Sequence, residues 1–145
     1  MAKDKYHDLV KTALEADGWT ITDDPLVIEI TNYKKLQIDL AAEKLLIAQK
    51  GKEEIAVEVK SFVGISTLHE FYKALGQFLF YELALKKEMP EKTLYLAVPS
   101  DVYRDFFTAD FVEELLANQR INLLIYNVLQ KSIDQWIKKT NTKES

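Results

Sequence analysis

Cysteine is absent from these 145 residues. That excludes disulfides, thiolate metal sites and a thiol nucleophile, and it fits a cytoplasmic chain. No apolar run approaches the roughly 18 residues of a membrane span, and the start, Met-Ala-Lys-Asp-Lys-Tyr-His-Asp, lacks an apolar signal core. No internal repeat and no linker interrupts the chain, so one domain over residues 1–145 is expected. A surplus of positive charge is also missing. The net charge is −4, whereas freestanding nucleic-acid binders are usually basic. Any contact with DNA must therefore be local, or a partner must supply the positive surface.

What remains is a soluble composition, 48% hydrophobic and 29% charged, long enough to bury a core without staples. Tyr6, Leu9, Val10, Ala13 and Leu14 recur at helical spacing, and Gly18 follows as a C-terminal cap; this predicts a helix over about 3–17. Trp19 to Thr22 alternates as a strand, and Asp23-Asp24-Pro25 is a turn. Leu26 to Ile30 reads as a strand or extended connection. Strand segments follow over 36–41 and 45–48, with a hairpin signal at Gln49-Lys50-Gly51-Lys52 before a strand over 54–61. Thr67-x-x-Glu70 is a capping box opening a long helix, with Leu68, Phe71, Tyr72, Leu75, Phe78, Leu79 and Leu83 on its buried side. An almost wholly apolar strand over 93–98, helical segments over 102–118, a strand over 121–128 and a terminal strand over 131–138 complete the order. The expected class is α/β, a central mixed β-sheet flanked by helices.

Ile55-Ala56-Val57-Glu58-Val59-Lys60-Ser61-Phe62 carries the chemistry. Its period of two puts Ile55, Val57 and Val59 on one face and Ala56, Glu58 and Lys60 on the other. Charge on so apolar a strand is costly unless paired or bound to an ion. Gln37-Ile38-Asp39-Leu40 places a second acid between apolar residues upstream. Asp followed some twenty residues later by Glu-x-Lys is the pattern of a metal-dependent phosphodiesterase. Such chemistry needs a divalent ion on a phosphate oxygen, a positioned water and an offset for developing charge. Mg²⁺ (or Mn²⁺) favours oxygen donors and takes one or two carboxylates. Asp39 and Glu58 would supply them, with the Val59 carbonyl as a third ligand, and Lys60 would orient the water or stabilise the phosphate. The bland alternative is a Glu58–Lys60 pair on a solvated strand face. On the long helix, Gln77 and Tyr81 share a face at i and i+4. Gly76, unfavourable inside a helix, suggests a close backbone approach, as to the sheet.

Asp39, Glu58-Val59-Lys60 and Gln77-x-x-x-Tyr81 together resemble the PD-(D/E)xK nuclease superfamily, and the Gln-and-Tyr helix its RecB-like branch. Ile38 stands where that motif often has proline. The resemblance implies a restriction-endonuclease-like fold and catalytic roles for Asp39, Glu58, Lys60 and Gln77. A resemblance to the XisH family covers nearly the whole chain. It is carried by Tyr6-His7-Asp8, Asp17-Gly18-Trp19-Thr20-Ile21-Thr22, Ile38-Asp39-Leu40-Ala41-Ala42-Glu43-Lys44, Ala56 to Phe62, Ala74-Leu75-Gly76-Gln77, Leu94 to Pro99 and Gln135-Trp136-Ile137. These are excision controlling factors of the cyanobacterial fdxN element. The resemblance implies removal of a DNA element by site-specific recombination during heterocyst development, beside a recombinase and a companion protein, XisI.

Two functions are therefore expected: a Mg²⁺-dependent endodeoxyribonuclease acting in DNA excision, or a non-cleaving accessory protein that binds a partner or DNA on a nuclease-like scaffold. Cutting two strands often uses two sites, which makes a homodimer a natural assembly. Glu43 and Glu15 are further acids that could approach the site, with a solvated helix face the favoured reading of Glu15. His7 and His69 do not make a metal pair by spacing. Ser61 and Ser66 lack a histidine partner for nucleophilic catalysis. Trp19 and Trp136 read as core or edge.

Overall fold

A computed structural model describes residues 2–26 and 45–139. The expected strands over 36–41, and with them Asp39 and Glu43, lie outside the described residues, as do Val27 to Ile30. Helix α1 (Ala2–Ala16) leads into strand β1 (Thr20–Asp23). Strands β2 (Leu45–Lys50) and β3 (Glu53–Val59) form a hairpin, followed by helix α2 (Thr67–Glu88) and strand β4 (Thr93–Pro99). A short helix α3 (Ser100–Val102) runs into a π-helical turn (Tyr103–Phe107). Helix α4 (Asp110–Asn118) and strands β5 (Leu123–Asn127) and β6 (Ser132–Ile137) complete the chain. Among the described residues the six strands lie in one sheet in sequence order. The central β3–β4 and β4–β5 pairs are parallel, and the outer pairs are antiparallel. The α/β class with a mixed, helix-flanked sheet is what the residue patterns predicted.

Each face of the sheet carries its own core. Leu9, Val10 and Leu14 of α1 pack on Leu46, Ile55, Val57, Tyr95 and Tyr126. Phe71, Ala74, Phe78 and Tyr81 of α2 pack on the opposite face, against Ile47, Ala56, Leu96 and Val98, with Phe107 and Leu116. β4 feeds both cores, which is why it reads as a continuous apolar run. The pleat thus sends Val57 towards α1 and Ala56 towards α2, and Glu58 shares the parity of Ala56. Trp19 and Trp136 fill the α1 side, with ring centroids 5.6 Å apart.

Three expectations about α2 change. The helix is capped by Ser66, whose Oγ accepts from the His69 N–H at 3.2 Å, so Thr67 is the first helical residue. Glu70 folds back instead over Gly64, where a Cβ would sit 2.7 Å from its carboxylate. The buried side runs through Phe71, Ala74, Phe78, Tyr81, Ala84 and Leu85, while Leu68, Tyr72, Leu79 and Leu83 are exposed. Small alanines let the helix approach the sheet closely, and a helix apolar on two sides does not reveal by periodicity which side is inward. Among the described residues Gly76 approaches nothing: a Cβ there would meet none of their atoms within 4 Å.

Candidate functional site at the end of strand β3

The two parallel strand pairs end together, and in open α/β sheets that edge is where ligands bind. Glu58 lies near the end of β3, facing α2, and is only 2% exposed. Taking a carboxylate out of water costs several kcal/mol unless its charge is met. The Lys60 ammonium meets it, 3.5 Å from Oε2, with its own side chain 16% exposed. Lys60 Nζ also donates to Gln77 Oε1 at 2.5 Å. A strand acid, a lysine two residues on and a helix amide thus form one line, Glu58–Lys60–Gln77. The solvated-face reading of the pair does not survive the burial of Glu58. Tyr81, one turn beyond Gln77, is buried in the α2 core.

The backbone of Lys60 is held as firmly as its side chain. Its N–H donates to the Ala97 carbonyl at 3.0 Å, one step past the β3–β4 ladder. Its carbonyl accepts from the Tyr126 hydroxyl at 2.9 Å. Tyr126 is wholly buried, and burial pushes its hydroxyl far above the usual tyrosine range. It therefore stays protonated and donates at every accessible pH. Phe62 follows in the left-handed region at φ 58°, a conformation that costs a branched or bulky residue roughly 1–2 kcal/mol. Its ring is buried edge-on to Phe107 at 5.4 Å, which offsets that cost. Sequence reasoning missed Tyr126. Its one signal was a tyrosine in an otherwise apolar strand, whose hydroxyl must find a partner when buried.

Beside this line a cleft of about 520 Å³ opens between the ends of β3, β4 and β5, lined by Tyr6, Ser61, Asp101, Arg104 and Asn127 among others. Among the described residues no three His, Asp or Glu side chains converge. Glu58 is the described carboxylate at the site, and Val59, at the last position of β3, offers a backbone carbonyl next to it. Both are hard oxygen donors of the kind Mg²⁺ prefers. Glu15 is exposed on α1, the helix that covers the opposite sheet face. His69 is exposed in the first turn of α2. His7 is buried, and its Nε2 lies 2.6 Å from Asp24 Oδ1, with Lys11 Nζ 2.8 Å from Oδ2. That cluster pins the turn after β1 onto α1.

The family model for XisH protein matches residues 1–134. The chain belongs to the XisH family. Two solved structures are similar to it over nearly their whole length. One is an fdxN element excision controlling factor protein from Anabaena variabilis, with 45% identity and a TM-score of 0.84, covering 93% of this chain and 99% of that one. The other is an XisH family protein from Nostoc punctiforme PCC 73102, with 46% identity and a TM-score of 0.84, covering 93% and 100%. No curated protein matches. The Glu58–Lys60–Gln77 line therefore sits in an XisH fold shared over almost the full length of both structures. No described helix is long and apolar enough to cross a membrane.

Proposed function

We propose that this XisH-family chain is a nuclease-like factor in the excision of a DNA element, hydrolysing phosphodiesters with Mg²⁺ (or Mn²⁺) on a restriction-endonuclease-like core. The observation that carries this reading is the buried Glu58 bridged through Lys60 to Gln77. A charged line held this firmly at the C-terminal edge of parallel strands is more than strand stability requires, since an apolar side chain at 58 would pack there without desolvation cost. Glu58, the Val59 carbonyl and Asp39 would hold the ion. The ion would polarise the phosphate and its bound water. Lys60 would steady the water or the developing charge, with Gln77 fixing its ammonium. The site works in the cytoplasm, on DNA, beside a site-specific recombinase and an XisI-like companion.

The test is Mg²⁺-dependent cleavage of linear, supercoiled and branched DNA by the wild type and by Lys60→Ala. We expect nicking or cutting that falls at least 100-fold in the variant. Cleavage that survives the substitution would assign the activity to another site.

A second reading has its own support. The net charge is −4, and the loop after Lys60 exposes Val63 and Ile65 rather than cations. An accessory factor that docks a partner protein through this apolar edge, without cutting, fits both observations. Metal-independent binding of the companion, with no cleavage of any substrate, would favour it.

A further inference from the structure

Helix α2 is apolar on two opposite sides. One side is the sheet-facing core. On the other, Leu68, Tyr72, Leu79, Phe80 and Leu83 are all exposed, Tyr72 by 58% and Leu83 by 54%. At 100° per residue these five and Gly76 fall within a sector of about 120°. No Asp, Glu, Lys or Arg lies within the stripe between Leu68 and Leu83; His69 falls inside the sector in the first turn, Lys73 stands at its edge, and Lys86 and Lys87 lie beyond its end. A helix that is apolar all round is normally a buried one.

The stripe is nearly symmetric about Gly76. Tyr72 and Phe80 stand one turn either side, and Leu68 and Leu83 two turns either side. At the centre stands the residue with no side chain, and among the described residues nothing fills the space above it. A surface of this form suits a copy of itself. Two α2 helices crossing antiparallel at Gly76 would set Tyr72 against Phe80 of the partner subunit and let the backbones touch where the glycines meet. Such an isologous contact tolerates no like charges on its axis, and this axis has none. The five side chains expose on the order of 500 Å² in one patch, near the upper limit for a monomer. Two copies would bury roughly 1,000 Å², the lower limit for a specific interface.

We infer that the chain forms a two-fold homodimer through α2, with the two-fold axis at Gly76. The pairing does not depend on any catalytic role for Glu58 or Lys60.

Sedimentation equilibrium of the full chain from about 1 to 300 μM is the primary test; a two-fold dimer of this area should dissociate in the micromolar range. Leu79→Glu and Leu83→Glu should each shift the midpoint at least 30-fold towards monomer. The thermal unfolding of Leu83→Glu at low micromolar concentration should match the wild type, because that side chain is 54% exposed in the single chain. The chain has no cysteine, so Gly76→Cys introduces one thiol on the axis, and mild oxidation should trap a covalent dimer. Glu113→Cys, exposed on α4, should not be trapped. A wild type that stays monomeric at 300 μM would overturn the inference. So would a dimer that neither glutamate variant weakens, or one trapped by Glu113→Cys and not by Gly76→Cys.

Discussion

Removing the Tyr126 hydroxyl tests how Lys60 is held, with an outcome that changes sign with pH. Tyr126→Phe keeps the ring in the α1-side core and deletes only the hydrogen bond to the Lys60 carbonyl. A net protein hydrogen bond is worth about 1 kcal/mol, and leaving its buried acceptor without that donor adds to the loss. We expect the variant to be less stable by about 1.5 kcal/mol at pH 8, lowering the midpoint of thermal unfolding by roughly 5 °C. Above pH 10 the comparison turns. In the unfolded chain Tyr126 ionises near its ordinary value of about 10, whereas burial keeps it neutral in the folded chain well above that. A raised folded value means that this stabilisation is whole below pH 10 and is lost as pH rises towards the folded value. The wild type loses about 1.4 kcal/mol per pH unit there from this one group; the phenylalanine variant does not. The other tyrosines titrate in both proteins and cancel in the difference. The two stabilities should meet near pH 11. Urea unfolding of both proteins at half-unit steps from pH 8 to 11.5 measures this. A difference that stays constant to pH 11.5 would show that Tyr126 ionises as easily folded as unfolded, and would remove it as the permanent donor behind Lys60.

The remaining predictions are narrower. Glu58→Gln should abolish any Mg²⁺-induced rise in unfolding temperature; in the wild type, Mg²⁺ at 100 times its dissociation constant should stabilise by about 2.7 kcal/mol, read by scanning calorimetry with and without the ion. Asp24→Asn should cost about 1 kcal/mol at pH 7. Burial alone would raise this carboxyl, but hydrogen bonds from Lys11 and His7 outweigh it and hold the group below its ordinary value. Its contribution is therefore present above about pH 4 and lost as pH falls through the lower folded value, so wild type and variant should converge on acidification in urea titrations. Ser66→Ala removes the cap on the His69 N–H and should cost about 1 kcal/mol. Thr67→Ala should cost less than half of that, and the reverse order would restore Thr67 as the cap.

What was legible follows from how tightly each pattern is tied to geometry. The pleat fixes side-chain parity without help from the rest of the chain. Hence Ile55, Val57 and Val59 could be assigned to one face, and Glu58 and Lys60 to the other, before any coordinates. Helix faces are less constrained. With Leu, Phe and Tyr around most of α2, seven residues fitted one buried stripe on paper. The structure turned the helix so that Ala74 and Ala84 face inward and Leu68, Tyr72, Leu79 and Leu83 outward. Contacts between distant segments left the weakest trace. His7 on the apolar stripe of Tyr6, Leu9 and Val10 was a sign of a buried polar partner, but nothing local named Asp24, 17 residues on. The break at Thr108 and the π-helical turn before it could not be placed within the helical segments read over 102–118, because neither glycine nor proline marks them.

The same distinction bears on the site. Glu-x-Lys is a weak signal in any chain of this length, since chance alone supplies about one. Its weight comes from what the fold does with it. A structural ion pair would need only Glu58 and Lys60. Here Lys60 is also tied through its side chain to Gln77 of α2, through its N–H to Ala97 of β4 and through its carbonyl to Tyr126 of β5. Three further elements thus fix one lysine. A flexible ammonium is worth little as a salt bridge, because its rotamer entropy offsets the attraction; one already immobilised has lost that entropy on folding, and it meets a developing charge without further reorganisation. Preorganisation of Lys60, more than the presence of a Glu and a Lys, is what the proposed phosphodiesterase role rests on. It also sets the order of the experiments: Tyr126→Phe and Gln77→Ala loosen Lys60 without removing it, so cleavage should fall in both if position matters, and in neither if the ammonium only balances Glu58.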